Sequence, residues 1–227
     1  MVWPEIEQVR INHRYEFVLS GEKLLKYYRE NNEIDENLWL LEQINFLELS
    51  NCSLIEDLSE NIGKLKHLTR LTLTGNRLKS LPNNFKSLEN LRHLNLSNNC
   101  LEEINENLFF NLNQLETINI SQNKLKSFPT LSLINQKKLS FLNLSSNNLQ
   151  SFDHLTNQLE NLLQIDLSFN QLKLFPKTFL QLNSLKIIHL ESNEINEIPT
   201  EISQLPKLKG FFFFFSNSIY FQQQEKS

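Results

Sequence analysis

The chain has 227 residues, 40% hydrophobic and 21% charged, the composition of a globular protein long enough to bury a sizeable core. Its net charge of −4 and pI near 5.8 offer no basic face to phosphate backbones or anionic lipid. No stretch reaches the roughly 18 apolar residues of a membrane span, and four glycines supply little for a phosphate-cradling loop.

The opening Met1-Val2-Trp3-Pro4 lacks a basic segment followed by an apolar run, so no secretory signal is read and a cytoplasmic location is expected. Residues 4 to about 19 place Ile6, Val9 and Phe17 behind Pro4, which suits a first helical turn, and predict one helix. Ser20-Gly21 breaks it. Residues 22–29 predict a second helix with Leu24, Leu25 and Tyr28 inward. Residues 34–44 have the spacing of the second half of the repeat described next and predict a strandless half-coil. Residues 1–43 thus form a helical cap over the open end of an apolar core.

From Ile44 onward a unit recurs. Leu68, Leu71, Leu73, Asn76, Leu78, Leu81-Pro82, Phe85 and Leu88 return as Leu162, Ile165, Leu167, Asn170, Leu172, Phe175-Pro176, Phe179 and Leu182. Units start at Ile44, Leu68, Leu91, Leu115, Leu139, Leu162, Leu185 and Leu208, a period of 23 or 24 residues. Fixed self-similarity of this kind specifies stacked coils. Each L-x-L core predicts a short strand with alternate side chains inward, and the proline after it predicts a short helical turn on the outer side. Asn76, Asn99, Asn123, Asn147, Asn170 and Asn193 fall where the chain must turn, and their amides are expected to form a ladder that satisfies backbone groups of neighbouring coils. Cys52 occupies this position in the first unit, which also has one extra residue.

This pattern resembles the leucine-rich repeat, in its intracellular L-P-x-x-F class. The fold it implies is an α/β solenoid, a horseshoe with parallel strands on the concave face, over residues 44–209. Trp3-Pro4-Glu5, Leu19-Ser20-Gly21 and the segment from Leu38 to Leu54 further resemble the leucine-rich repeat-containing protein 47 family. That resemblance implies a cytoplasmic protein in which a domain similar to the B3/B4 region of a phenylalanyl-tRNA synthetase beta subunit follows the repeats, with RNA or the translation machinery as a neighbour. The chain departs from that pattern at Gly210, so the alternative reading is a truncated member of this translation- or RNA-associated family in which the B3/B4 domain is missing, and no functional residue is carried over from the family.

Stacked strands turn equivalent outward positions into columns. One column reads Phe46, Arg70, His93, Thr117, Phe141, Gln164, Ile187; the next reads Glu48, Thr72, Asn95, Asn119, Asn143, Asp166, His189. At about 4.8 Å per strand they make a face on the order of 30 Å long, sized for a macromolecule. Departures from the usual spelling carry the most information: Phe46, Phe141, Phe169 and Ile187 are apolar, while Arg70, Arg92 and His93 form a basic edge. A protein partner is therefore expected on Arg70, His93, Thr117, Phe141, Gln164, Asp166, Ile187 and His189, held by a monomeric scaffold, with RNA as the alternative. Ser168, Asp166 and His189 are the sharpest catalytic suspicion, but an open sheet excludes no water and offers no oxyanion donors; a solvated ion pair beside Glu191 is the expected arrangement, and no enzyme is read. The histidines at 13, 67, 93, 154 and 189 form no HExxH motif, so neither metal nor cofactor is expected. The Asn-X-Ser triplets at Asn51, Asn95, Asn119 and Asn143 follow from the repeat spelling, and Cys52 and Cys100 lack paired spacing, which fits a reducing compartment.

Residues 210–227 leave the repeat at Gly210 with five consecutive phenylalanines, Phe211 to Phe215. A pyrimidine-rich intron end would translate this way. The segment is therefore read as an aberrant or truncated tail, with Phe211 and Phe213 able to point inward.

Overall fold

A computed structural model describes residues 2–152, 159–215 and 218–221. Its ten strands form one sheet in chain order: β1 Glu16–Ser20, β2 Phe46–Ser50, β3 Arg70–Thr72, β4 His93–Asn95, β5 Thr117–Asn119, β6 Phe141–Asn143, β7 Gln164–Asp166, β8 Ile187–His189, β9 Gly210–Phe215 and β10 Ser218–Phe221. Strands β1 to β9 are parallel, and β10 turns back antiparallel on β9. Leu47, Leu71, Leu94, Ile118, Leu142, Ile165 and Ile188 stand in register as one inward row, essentially without solvent contact. Each buried leucine or isoleucine contributes about 1.5–3 kcal/mol, so the row welds every coil to the next.

The outer side is built from 3-10 turns. Asn83–Ser87, Thr130–Leu133, Lys177–Gln181 and Thr200–Gln204 each follow a proline, as the sequence predicts. They aim Phe85, Phe179 and Ile202 into the core. Behind the sheet the rings of Phe109, Phe128, Phe152 and Phe179 stack from coil to coil with centroids 5.9, 6.2 and 6.0 Å apart, a spacing at which aromatic pairs attract beyond their area burial.

Two expectations at the amino terminus need correction. The single helix to residue 19 is instead α1 Pro4–Ile11, a turn with His13 in the left-handed region at φ 48, and β1. In β1 the burial alternates, Phe17 and Leu19 inward with Glu16 and Val18 outward, which is strand periodicity. The half-coil that follows is consequently not strandless: β1 pairs with β2 over five residues, and α2 Gly21–Asn31 connects it to the 3-10 turn Glu36–Leu40. In α2 Leu24 is fully buried, and Leu25 and Tyr28 pack on the core edge. Trp3 is also buried, stacked on Tyr27, with its backbone N–H donating to Asp35 Oδ2 at 2.7 Å.

At the other end, Gly210 to Phe212 continue the parallel sheet in register with β8, and Phe213 is buried while Phe211 packs against the core. Residues 222–227 of the tail and His154 lie outside the described residues.

Candidate interaction face

The residues in question sit on a sheet fixed by the turns behind it. Asn123 shows how. Its Nδ2 donates to the Leu96 carbonyl of the preceding coil at 3.0 Å and to Ile120 at 3.1 Å, while its Oδ1 accepts from the Leu101 N–H at 2.9 Å. Asn99, Asn147, Asn170 and Asn193 repeat this three-way set. Asn76 does not: it donates to Leu49 and Leu73, but its buried Oδ1 accepts nothing. The reason lies in the first coil. The amides of Leu54 and Ile55 face the sulfur of Cys52, whose thiol is pushed up by burial and only partly drawn back by those donors.

The residue before each ladder position is left-handed in every coil: Asn51, Gly75, Asn98, Gln122, Ser146, Phe169 and Ser192 all have φ between 54 and 70. Asn51 and Gly75 also touch closely, since a Cβ on Gly75 would collide with Asn51 Oδ1. The conformation belongs to the coil, whatever residue occupies it.

On the concave face the register places Phe46, Arg70, His93, Thr117, Phe141, Gln164 and Ile187 side by side, and Asp166 beside His189. Arg70 is exposed and the rest of these are half-buried. The basic edge is largely partnered from within. Arg70 lies over the Phe46 ring at 5.4 Å, Arg92 reaches Glu116 at 3.6 Å, and His93 Nδ1 shares a hydrogen bond with Thr117 Oγ1 at 3.0 Å. Phe169 is 58% exposed but stands on the loop after β7, off the column.

The second column is held by its own serines. Asn95, Asn143 and Asp166 each accept from the backbone N–H and the hydroxyl of the serine two residues on, and Asn119 accepts from the Ser121 N–H. The Ser168 hydroxyl therefore donates to Asp166, 2.6 Å away, and not to His189. His189 pairs with Glu191, two residues further along the chain and just past the end of β8, Nδ1 to Oε1 at 2.9 Å, in place of the cross-strand ion pair with Asp166 expected from the sequence. The Glu191 hydrogen bond holds the imidazole above its usual pKa, against a smaller opposing effect of burial, and the charges of Glu191 and Asp166 add to it. The Phe212 ring lies flat on the imidazole, centroids 4.4 Å apart at 5°.

Three residues that the column reading passed over lie one position before strands β7, β8 and β9. Leu163, Lys186 and Lys209 are joined in a row by backbone bonds from Lys186 N–H to Leu163 O and from Lys209 N–H to Lys186 O, each 2.8 Å. All three are exposed, Leu163 by 37%. Taking this position as turn rather than face concealed them.

Residues 66–125 match the leucine rich repeat family model. A stretch of 89 residues is 32% identical to adenylate cyclase of Schizosaccharomyces pombe, covering 39% of this chain and 5% of that protein. An LRR protein of Leptospira interrogans superposes with a TM-score of 0.78 at 31% identity, over 88% of this chain and 48% of its own. The LRR ectodomain of the Arabidopsis thaliana membrane receptor kinase GASSHO1/SCHENGEN3, solved in complex with Casparian strip integrity factor 2, gives 0.64 at 27% identity over 74% of this chain and 21% of its own. The chain spans less than half the length of each. With residues 66–125 matched to the repeat in sequence and most of the backbone matched in space, this chain has the leucine-rich-repeat solenoid fold.

Proposed function

We propose that the chain is a protein-interaction scaffold that holds its partner on the concave sheet through Arg70, His93, Thr117, Phe141, Gln164, Asp166, Ile187 and His189. The carrying observation is that this face has side chains unlike the ordinary repeat residues, with aromatic, aliphatic and guanidinium groups in one registered column and a length suited to a macromolecule. Aromatic and arginine side chains are the usual anchors of such contacts. The complex of the GASSHO1/SCHENGEN3 ectodomain with Casparian strip integrity factor 2 supports the reading by analogy. Both cysteines are free thiols, Cys52 buried and Cys100 half-buried, which suits a cytoplasmic setting. Among the described residues no helix is long and apolar enough to cross a membrane.

The test is quantitative affinity capture with the immobilised protein, with and without RNase treatment of the lysate. Arg70→Ala, His93→Ala and Phe141→Ala together are expected to reduce capture about tenfold or more, equivalent to at least 1.4 kcal/mol, at unchanged melting temperature. An equal loss from Lys86→Ala with Lys177→Ala on the outer side would move the site off the concave face. Loss of the partners with RNase alone would replace the protein reading by an RNA one.

A further inference from the structure

We propose that the carboxy-terminal half of the concave face is a seat for an acidic protein segment carrying one large apolar side chain, with Phe141, Leu163 and Ile187 taking the apolar group and Lys186 and Lys209 its carboxylates. The inference rests on the concave-face reading and narrows it to one place and one partner chemistry.

The apolar part comes from two neighbouring rows. Phe141 and Ile187 flank Gln164 in one, and Leu163 stands in the next, bonded through its backbone N–H to Ser140 O at 2.9 Å. Equivalent positions to Leu163 in earlier coils are Asn45, Thr69, Arg92, Glu116 and Ser140, so a leucine with 37% of its surface in water is a departure that folding does not require. The patch is walled at its far end. A Cβ at Gly210 would come within 2.9 Å of Phe212 Cε2 and 3.8 Å of Ile187, so the missing side chain lets the Phe212 ring close against the patch.

The charged part sets the partner's sign. Lys186 and Lys209 are exposed immediately before the adjacent strands β8 and β9, and among the described residues neither ammonium has an acidic partner within ion-pair distance. Like charges placed side by side on neighbouring strands repel. Elsewhere on this face Arg92 has Glu116 and His189 has Glu191, so two unmatched lysines beside an unmatched apolar patch form a complementary pair of features. Carboxylates about one strand spacing apart would satisfy both, with the apolar anchor falling on the β6–β8 side. A nucleic acid fits less well: of the three patch side chains only Phe141 offers a flat face for base stacking, and two ammonium groups on a chain of net charge −4 are few for a phosphate backbone.

The test uses the whole chain, fluorescently labelled, on an array of synthetic twelve-residue peptides. One class has a single leucine or phenylalanine followed by two glutamates. A second has lysines for the glutamates, a third has alanine for the apolar residue, and an oligouridine strand is the fourth probe. The wild-type protein is expected to retain the first class at least tenfold better than the others. Lys186→Glu with Lys209→Glu should reverse the preference to the second class, Lys186→Gln with Lys209→Gln should abolish it, and Leu163→Ser with Ile187→Ser should weaken the first class and leave the third, which has no large apolar residue, unchanged. Retention indifferent to peptide charge, a preference unmoved by the lysine variants, capture of oligouridine in place of peptide, or no retention at millimolar peptide overturns the seat. Retention that is lost with Arg70→Ala and His93→Ala but indifferent to residues 186 and 209 overturns the seat and leaves the concave reading standing. Retention lost only with Lys86→Ala and Lys177→Ala overturns both.

Discussion

Replacing Asn123 or Asn147 by alanine leaves one buried amide without its acceptor and takes one of two asparagine donors from each of two buried carbonyls. At about 1–3 kcal/mol for the group left unsatisfied and about 0.5–1.5 kcal/mol for each further bond lost, the expected loss is about 2–6 kcal/mol in denaturant titrations. Asn76→Ala should cost measurably less, because its Oδ1 makes no bond. Asn98 looks like a convenient control, but its φ of 54 would strain alanine, and Asn98→Gly is the substitution expected to be near neutral. The ladder asparagines were legible in the sequence because one residue type recurs at one spacing. The left-handed position beside them was not, because coil geometry imposes that backbone on residues as different as Gly75, Gln122 and Phe169. An L-residue pays roughly 1–2 kcal/mol for this conformation, and Phe169 is also exposed. Phe169→Asn is therefore expected to raise the melting temperature by a few degrees, given about 2–4 °C per kcal/mol at this size; an unchanged or lower value would show that the ring makes a stabilising contact.

Among the elements, β1 was concealed by its neighbours. Its five residues alternate in burial, but they follow α1 so closely that Ile6, Val9 and Phe17 can be fitted to one helical period, and only the turn at His13 separates the two patterns. The last parallel strands carry a pH dependence. The His189 imidazole has its pKa raised in the folded chain by Glu191, with Asp166 contributing, and it lies under Phe212 of β9. A raised folded-state pKa contributes stability that is complete below the unfolded value near 6.5 and is lost as pH rises through the folded value. The melting temperature of the wild-type chain should accordingly fall between pH 6 and pH 8.5 relative to that of Glu191→Gln, in which the other histidines titrate as before. Parallel curves for the two proteins would show that the pair adds nothing to stability.

For the molecule as a whole, the repeat made strand order, register and the two concave columns readable in advance, since equivalent positions in stacked coils must coincide. What periodicity could not supply is how far each side chain stands out of the turn leading into its strand, and Leu163, Lys186 and Lys209 depend on that. The internal pairing of Arg70 with Phe46 and of Arg92 with Glu116 was equally out of reach, because it rests on side-chain direction across neighbouring strands.

Every strand of the sheet is bonded only to the strands before and after it in the chain, and among the described residues no distant strand returns to lock the ends together. Under mechanical load applied at the two termini, such an array has no single clamp whose rupture releases everything. It should peel from an end, one coil at a time, each step freeing the 23 or 24 residues of a repeat, about 80 Å of extended chain at roughly 3.3–3.6 Å per residue. Pulling single molecules in an optical trap should give a ladder of low-force steps of that length, whereas one cooperative rupture would mean that the aromatic stack behind the sheet binds the coils into a single mechanical unit.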